Sequence, residues 1–317
     1  MAVWVPSYYR AFHCIADRCR HSCCVGWEVD IDPESLRRYE AVTGALGEAL
    51  QAHIVRSEAG GSFRLTPEER CPFLQEDGLC RLYRELGEES LCQICTDHPR
   101  FRSYFTGRTE LGLGMCCEEA ARVALTHTVP ATWVLLEQDS EGEESLPPEE
   151  AFLLTLRERL TALLQDRRVS LPDRLDNLLE AAHIALPASS MAAWAKRCLS
   201  LERLDDHWTE ALNRLANSEP SARPSLWKDF ALPLEQWAVY LLWRHLPEAL
   251  EASCLLGRIA FVAWGVAFVH ALLQVSEESS MDTLLDLCRM FSAEIEYSDE
   301  NLTALVEAFE ETLSVIS

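Results

Sequence analysis

Lysine is almost absent from this sequence: only Lys196 and Lys228 occur beside 26 arginines. Acidic residues outnumber basic residues 51 to 28, which gives a net charge of −23. Because nucleic-acid binding depends on Lys and Arg neutralising phosphates, this balance argues against a nucleic-acid partner. The scarcity of lysine is typical of genomic codon bias, and it also suits an enzyme that acts on lysine amines. The sequence leaves both interpretations open.

The sequence also lacks an apolar run long enough to cross a membrane. The best candidate, Leu255 to Val275, contains Arg258 and His270, so only eleven consecutive residues are free of ionisable groups, whereas a span needs about twenty. We predict a buried core helix here and no membrane span. The first ten residues lack a basic region, and no apolar segment with a cleavage site follows them, so we expect a cytoplasmic protein.

Two motifs of cofactor-binding enzymes are missing. No GxGxxG follows a convincing strand, and the βαβ alternation of a classical nucleotide-binding methyltransferase is absent. The CxxxCxxC motif of radical enzymes is absent too, because Cys19 and Cys23 are followed at once by Cys24.

Cysteine, in contrast, is concentrated in one stretch. Ten of the thirteen cysteines lie within a third of the chain. They are Cys14, Cys19, Cys23, Cys24, Cys71, Cys80, Cys92, Cys95, Cys116 and Cys117. Cytosolic thiols stay reduced, and a chain of this length does not need disulfides in place of a core. We therefore favour metal or cluster ligation over disulfides or inert buried thiols. Only Cys92 and Cys95 have CxxC spacing, which weakens a zinc interpretation without excluding it.

Local patterns predict short elements around these thiols. Val25 to Asp32 alternates apolar and acidic residues, as in a short strand. Asp32 is a helix cap followed by Pro33 in the first turn, and Gly44 and Gly47 are expected to end that helix. The polar stretch from His53 to Arg70 predicts a hairpin or loop.

The later thiols are also predicted to lie at turns and helix ends. Asp77-Gly78 predicts a tight turn that brings Cys71 and Cys80 together. A helix over 81–91 is expected to deliver Cys92 and Cys95 at its end, before Pro99 stops it. A hairpin is expected over 101–113, and a helix is expected to open after Cys116-Cys117.

The predicted fold is mainly α, with a cysteine-rich domain of short helices and small hairpins followed by a C-terminal helical bundle. An acidic, proline-ending stretch places the boundary near residue 140, giving domains 1–140 and 141–317. Helical periodicity is expected over 149–165, 172–185, 190–216, 234–246, 248–275, 281–297 and 299–315.

Four ordered blocks of sequence surround the cysteines. They are FHCIADRCRHSCCVGWEVDID from Phe12, RCPFLQEDGLCRLY from Arg70, LGEESLCQICTDHPR from Leu86 and CCEEAAR from Cys116. Together these blocks resemble the flagellin lysine-N-methylase family. The remainder is similar only loosely, through LEQWAVYLLWRHLP from Leu234 to Pro247. The CPFL block also resembles a wider group of zinc- or iron-chelating proteins.

The resemblance implies methyl transfer from S-adenosylmethionine to lysines of flagellin. It also implies an iron–sulphur cluster bound by motif cysteines, with a 4Fe–4S cluster as the first expectation and zinc as the alternative. The matching positions are Cys14, Cys19, Cys23, Cys24, Cys71, Cys80, Cys95 and Cys117. Eight positions exceed one cluster's four ligands, so one cluster with spare thiols and two clusters stay open. Cys92 and Cys116 are additions to the family pattern, and Glu118 stands where the family is expected to have proline.

Carboxylates and aromatic rings are the groups that a lysine amine or a sulfonium cation would need. The candidate catalytic residues are Asp30, Asp32 and Asp97. The candidate cofactor-binding residues are Trp27, His98, Arg100 and Glu119. The same residues are equally typical of a solvated strand face with one core tryptophan, a turn and a helix N-terminus.

Two interpretations from other functional classes remain. One is a zinc- or iron-binding structural module that organises a protein-interaction surface. The other is a redox protein without methyltransferase activity. The residues alone indicate a metal- or cluster-binding domain followed by an acidic helical domain, and they give no oligomeric state.

Overall fold

The computed structural model describes residues 2–57, 60–138, 145–218, 224–251 and 254–315. The chain is mainly α-helical, as the sequence predicted. The helices are α1 (Pro33–Glu40), α2 (Gly44–His53), α3 (Arg81–Leu86), α4 (Gln93–Asp97), α5 (Glu118–Leu125), α6 (Pro148–Leu164), α7 (Leu171–Ala181), α8 (Met191–Cys198), α9 (Asp206–Ala216), α10 (Pro224–Asp229), α11 (Ala231–His245), α12 (Leu255–Val275), α13 (Met281–Phe291) and α14 (Asp299–Thr312).

The strands form three small sheets. They are β1 (Ala2–Pro6), β2 (Asp30–Ile31), β3 (Ile54–Ser57), β4 (Gly60–Phe63), β5 (Arg100–Phe105), β6 (Arg108–Leu113), β7 (Trp133–Gln138), β8 (Ile184–Ala185) and β9 (Ser314–Val315). The sheet orders are β5-β6-β1-β7, β2-β4-β3 and β8-β9. Strand β1 is parallel to β6, with Ala2 opposite Arg108, and antiparallel to β7, with Pro6 opposite Trp133.

The chain divides into two compact units. The thiol unit comprises His13–Arg100 and Cys117–Glu119, and the helical unit comprises Met1–Phe12, Phe101–Cys116 and Ala120–Ser317. The first twelve residues belong to the helical unit because β1 pairs with β6 and β7. The predicted boundary near residue 140 lies outside the described residues, and the division into 1–140 and 141–317 stays a prediction.

The core of the thiol unit is built from the predicted short elements. Asp32 caps α1 by accepting a hydrogen bond from Ser35 N, and Pro33 occupies the first turn, as predicted. Strands β3 and β4 form the expected hairpin. The strand expected over 25–32 is shorter, because only Asp30 and Ile31 pair with β4. Apolar side chains from these elements, including Tyr39 and Phe73, form one buried cluster.

The helical unit is organised around α12. Trp264 in this helix is fully buried and stacks on Phe268, with ring centroids 4.7 Å apart. Of the described helices, α12 is the one long and apolar enough to cross a membrane, but 83% of its most apolar window is buried inside the protein. Helix α12 is therefore a core helix, as predicted from Arg258 and His270, which interrupt its apolar run.

Three local predictions were wrong. Gly44 and Gly47 do not end α1, which ends at Glu40; they lie in the first turn of α2, where a Cβ on Gly47 would stand 2.1 Å from the Val42 carbonyl oxygen. The helix expected over 190–216 is two helices, because the buried Glu294 carboxylate accepts hydrogen bonds from the amides of Leu204 and Asp205 between them. The second half is not helical throughout, since it contains β8 and β9.

Candidate functional site

The segment that carries the first four cysteines is held at two points inside the thiol unit. The first is Glu118, whose carboxylate accepts hydrogen bonds from Arg20 N and Arg20 Nε, each at 3.0 Å, and lies 3.1 Å from His21 Nδ1. The Cys19 sulfur lies 3.9 Å from the same carboxylate. Glu118 follows Cys117 directly, so these contacts bring Cys117 beside the first cysteine segment.

The second point lies beside Cys71. The amide of Cys71 donates to the Cys24 carbonyl at 2.8 Å, and the amide of Gly26 donates to the Glu69 carbonyl at 2.8 Å. Val25 and Arg70 form an isolated antiparallel bridge between these two segments. The chain therefore leaves Cys24 directly alongside Cys71.

A tight turn joins Cys71 to Cys80, as the sequence predicted. Gly78 has a φ of +80°, a conformation that favours glycine. The amide of Gln75 donates to the Leu79 carbonyl at 2.9 Å, and Leu74 pairs with Cys80 across the turn. The turn returns the chain so that Cys80 lies near Cys71.

Cys92 and Cys95 lie at the start of a helix and not at the end of one. Helix α3 ends at Leu86, and Cys92 is the N-terminal cap residue of α4. The two sulfurs are 3.4 Å apart and form a hydrogen bond. Helix α4 ends at Asp97, before Pro99, where the sequence predicted a stop.

The thiols form two sets. In the inner thiol set, Cys71 and Cys92 are buried in the core cluster, and the partly buried Cys24, Cys80 and Cys95 pack against it. In the outer thiol set, Cys23 interacts electrostatically with Cys14 and Cys117. Cys14 and Cys23 are exposed, and Cys117 is partly exposed. The neighbours Cys23 and Cys24 thus belong to different sets but interact directly, so the two sets meet at this pair.

Electrostatics inside the sets favours a mixture of thiols and thiolates. Burial raises the pKa of Cys71 to about 12, and burial also raises the pKa of Cys80. A hydrogen bond from Cys23 lowers the pKa of Cys24 to about 7, and a hydrogen bond from Cys95 lowers the pKa of Cys92. Within each pair, Cys24 and Cys92 are therefore the thiols that lose a proton more readily.

All thirteen cysteines lie among the described residues, and none is in a disulfide. Within that part of the chain, no group of three or more His, Cys, Asp or Glu side chains already surrounds a position for a metal ion. The donors nevertheless suit a soft metal. Two thiolates on one zinc lie about 3.8 Å apart, from a Zn–S distance of about 2.3 Å and tetrahedral geometry, close to the 3.4 Å between Cys92 and Cys95. Cys92 and Cys95 therefore fit a shared metal in chemistry and in spacing.

An open pocket of about 490 Å³ lies in the thiol unit beside α4. It brings together the three predicted catalytic carboxylates, Asp30, Asp32 and Asp97. Its apolar wall consists of Ile31, Pro33 and Ile94, and its remaining lining residues are Ser57, Gly61 and Gln93. An apolar wall with carboxylates at hand is the arrangement that a lysine side chain needs, because its methylene stem is apolar and its amine becomes cationic.

Asp32 has a structural role in this pocket. Its carboxylate accepts hydrogen bonds from Ser35 N and from Gln93 N, each at 2.9 Å, and so connects the start of α1 to the start of α4. Burial acts to raise the pKa of Asp32, but the amides of Gln93 and Ser35 outweigh it and lower the pKa to about 2. At neutral pH Asp32 is therefore a fixed anion and a poor proton acceptor.

Replacing Asp32 with alanine is expected to lower the free energy of unfolding by about 0.5–2 kcal/mol, the usual cost of losing a helix cap. Because the pKa of Asp32 in the folded protein lies below its unfolded value, its contribution is complete above about pH 4 and is lost as the pH falls toward about 2. Urea unfolding of the wild type and of the Asp32→Ala variant at pH 7 and pH 3 measures this contribution. A difference in unfolding free energy between the two proteins that is larger at pH 3 than at pH 7 would contradict the prediction.

The predicted cofactor-binding residues lie elsewhere in the thiol unit. Trp27, His98 and Arg100 are partly buried, and Glu119 is buried. Burial lowers the pKa of His98 to about 4, so its imidazole is neutral at pH 7. The Arg100 guanidinium donates to the Thr96 carbonyl at 3.0 Å. None of these four residues lines the pocket that contains Asp30, Asp32 and Asp97, called here the acidic pocket. Their role as cofactor contacts stays a prediction.

Two polar features of the structure were not predicted from the sequence. One is Glu118, noted only as a departure from a family pattern, although its position after Cys117 was the available signal. The other is a buried cluster in the helical unit around Glu296, at the end of a π-helical turn over Ser292–Glu296. Tyr240 donates to Glu296 at 3.1 Å, and His245 Nε2 lies 2.5 Å from the same carboxylate. Periodicity gave no signal for this cluster, because its members come from distant segments.

Curated proteins provide the comparison with known function. Over 125 residues, 38% of this chain, the sequence is 29% identical to a protein named Lysine-N-methylase from Salmonella choleraesuis and 28% identical to one of the same name from Salmonella typhimurium. It is also 26% identical over 152 residues to a Salmonella muenchen protein named Flagellar biosynthetic protein FliU, covering 89% of that protein.

The chain spans about a third of the length of the two lysine-N-methylases, 31% in each case. No family model matches the chain, and no solved structure matches it. The resemblance to the lysine-N-methylase family that the cysteine blocks indicated is confirmed by these relatives.

Proposed function

From this relationship to proteins named Lysine-N-methylase, we propose that the chain is a cytoplasmic, S-adenosylmethionine-dependent methyltransferase that acts on lysine side chains of flagellin. That relationship is the observation that carries the proposal. The relative named as a flagellar biosynthetic protein supports flagellin as the substrate. The acidic pocket supplies a place for the lysine side chain.

The reaction that this pocket suits is a displacement at the methyl carbon. The neutral lysine amine attacks the sulfonium methyl, so that a C–N bond forms while the S–CH₃ bond breaks and S-adenosylhomocysteine leaves. The product amine then carries a positive charge and one proton in excess. Asp30 and Asp97 stabilise that charge, and either carboxylate or solvent accepts the proton. Asp32 supplies fixed negative charge and holds α4 in place.

The thiols would hold an iron–sulphur cluster. Held by three of these cysteines, a four-iron cluster would supply an iron able to bind the amino and carboxylate groups of S-adenosylmethionine. This accounts for the absence of a glycine-rich nucleotide loop from the sequence. Trp27, His98, Arg100 and Glu119 remain the proposed contacts to the methyl donor, with the Trp27 ring facing a sulfonium cation.

The test is methyl transfer itself. The full chain, purified and reconstituted without oxygen, is incubated with flagellin and S-adenosylmethionine, and intact flagellin is weighed by mass spectrometry. We expect flagellin to gain whole methyl masses on lysine peptides. No gain from protein that carries its full metal content would overturn the proposal. Brown protein would identify an iron–sulphur cluster, whereas colourless protein with bound zinc would favour a structural module.

Replacing Asp30 with asparagine tests the pocket. Asp30 stabilises charge that develops during the reaction, and a charged hydrogen-bond partner contributes about 1.5–3 kcal/mol. We therefore expect kcat for methyl transfer to fall about tenfold or more, with the KM for flagellin changing less. The matched control is Glu28→Gln, which removes an exposed charge from the same segment outside the pocket. Equal effects from the two substitutions would show that only overall charge matters.

A further inference from the structure

A second pocket adjoins the acidic pocket inside the thiol unit. It has a volume of about 280 Å³, and it shares Asp32 and Gln93 with the acidic pocket, so the two pockets form one groove with two places for side chains. We propose that this groove binds an extended peptide through two basic residues, one in each pocket. The identity of one of them as the methylated lysine rests on the proposed function, whereas the binding itself does not.

The wall that the two pockets share is fixed by hydrogen bonds. The Asp32 carboxylate accepts from Ser35 N and from Gln93 N, each at 2.9 Å. Asp32 caps α1, and α4 begins at Gln93. The starts of these two helices are therefore held together where the pockets meet. A peptide that crosses this wall binds a preformed surface, which lowers the ordering cost of binding.

Negative charge exceeds positive charge along the groove. The carboxylates that line it are those of Asp30, Asp32, Asp97, Glu34 and Glu89. Among the described residues that line either pocket, Arg38 has the one basic side chain. A single lysine amine neutralises one unit of the negative charge and leaves a surplus. Charge complementarity therefore favours a peptide that brings a second cation.

Glu89 is the carboxylate of the second pocket that is placed to bind this second cation. Its side chain is exposed, and no residue in the described part of the chain forms an ion pair with it. Glu34, in contrast, lies 3.9 Å from Arg38 Nη1. The Arg38 guanidinium also donates to Ser35 Oγ at 2.7 Å and to the Leu91 carbonyl at 3.3 Å. Arg38 is thus bound within its own unit, and a basic side chain of the peptide can bind Glu89.

The spacing of the two basic residues follows from the geometry of an extended chain. Side chains that enter neighbouring pockets of one groove come from the same face of the peptide. Residues on one face are two positions apart, which corresponds to about 6.6 Å. A lysine with a second basic residue two positions away therefore fits both pockets, whereas two adjacent lysines point to opposite faces.

The experiment measures peptide binding to the full chain, purified without oxygen, by fluorescence anisotropy. The salt concentration is about 0.15 M, so that exposed charges more than about 8 Å apart are screened. Three labelled peptides of equal length are compared: one with two lysines separated by one alanine, one with two adjacent lysines, and one with glutamine in place of the second lysine. We expect the spaced peptide to bind about threefold tighter than either of the others, since an exposed ion pair contributes modestly.

Replacing Glu89 with glutamine tests the second contact. The preference for the spaced peptide should disappear, while the single-lysine peptide should bind as it does to the wild type. The matched control is Glu88→Gln, which removes an exposed charge one residue away and outside both pockets, and it should keep the preference. Both side chains are exposed, so neither substitution is expected to disturb the fold.

Two results would overturn the inference. Equal binding of the spaced and adjacent peptides by the wild type, which needs no variant, would show that overall charge governs binding. The same preference in Glu89→Gln as in Glu88→Gln would show that Glu89 is not the contact. Methyl transfer is measured separately on the same peptides. Spacing-dependent binding without any gain in peptide mass would refute only the proposed function, and methylation with equal binding would refute only this inference.

Discussion

Replacing Cys23 with serine is expected to reduce methyl transfer to flagellin by about tenfold to a hundredfold or more, the loss that removing even a supporting group costs a metal site. Cys23 is exposed and belongs to the outer thiol set. Because Cys23 is exposed and the substitution changes one atom, the free energy of unfolding of the metal-free chain should change by about 0.5 kcal/mol or less. Intact-mass assays of flagellin and thermal unfolding of the variant measure the two effects separately.

The control for this prediction is Cys254→Ser, which changes a thiol at the start of α12 in the helical unit. It should leave the rate unchanged. Full activity in Cys23→Ser would show that methyl transfer does not require the outer thiol set. A large loss of stability accompanying the loss of activity would instead show that Cys23 acts by holding the unit together.

Replacing Glu235 with alanine is expected to lower the free energy of unfolding by about 3–5 kcal/mol. Glu235 is buried, and its carboxylate binds Arg167 at 2.8 Å and the buried Arg174 at 2.7 Å. Removing it leaves the Arg174 guanidinium in the interior with the Leu164 carbonyl as its remaining described partner. The cost is that of a buried charge without its counter-charge, and urea unfolding measures it.

The matched control is Asp166→Ala, which breaks an ion pair to Arg168, an arginine whose side chain is 89% exposed. Exposed pairs contribute about 0–1 kcal/mol, so this variant should unfold close to the wild type. The double variant Glu235→Leu with Arg174→Met should recover much of the lost unfolding free energy, because it removes both buried charges, the Glu235 carboxylate and the Arg174 guanidinium. If it is as unstable as Glu235→Ala alone, the unpaired charge is not the cause.

Much of the thiol unit could be predicted because its signals are local. The cap at Asp32, the turn at Gly78 and the stop at Pro99 each depend on one residue's own backbone or hydrogen-bonding preference. The carboxylates Asp30, Asp32 and Asp97 were chosen for their chemistry and neighbours, and they line one pocket. Their catalytic role stays a prediction, since lining a pocket does not show chemistry.

The features that could not be predicted depend on distant parts of the chain. The break between α8 and α9 follows from Glu294, which lies about 90 positions later and binds amides that would otherwise continue a helix. Cys92 was set aside because the family pattern lacks it, yet it packs in the same core as Cys71. Cys23 and Cys24 belong to different sets because different parts of the chain contact each of them. The spacing of the cysteines in the sequence does not indicate those contacts.

The position of β1 bears on how the protein is made. This strand is synthesised before its partners β6 and β7, which begin at Arg108 and Trp133. The ribosome therefore releases all of 13–100 before the sheet around β1 can close, and domains generally fold as units during synthesis. Eight of the ten clustered cysteines, from Cys14 to Cys95, therefore leave the ribosome before the sheet can close, so a metal that binds them can be delivered before the helical unit has assembled.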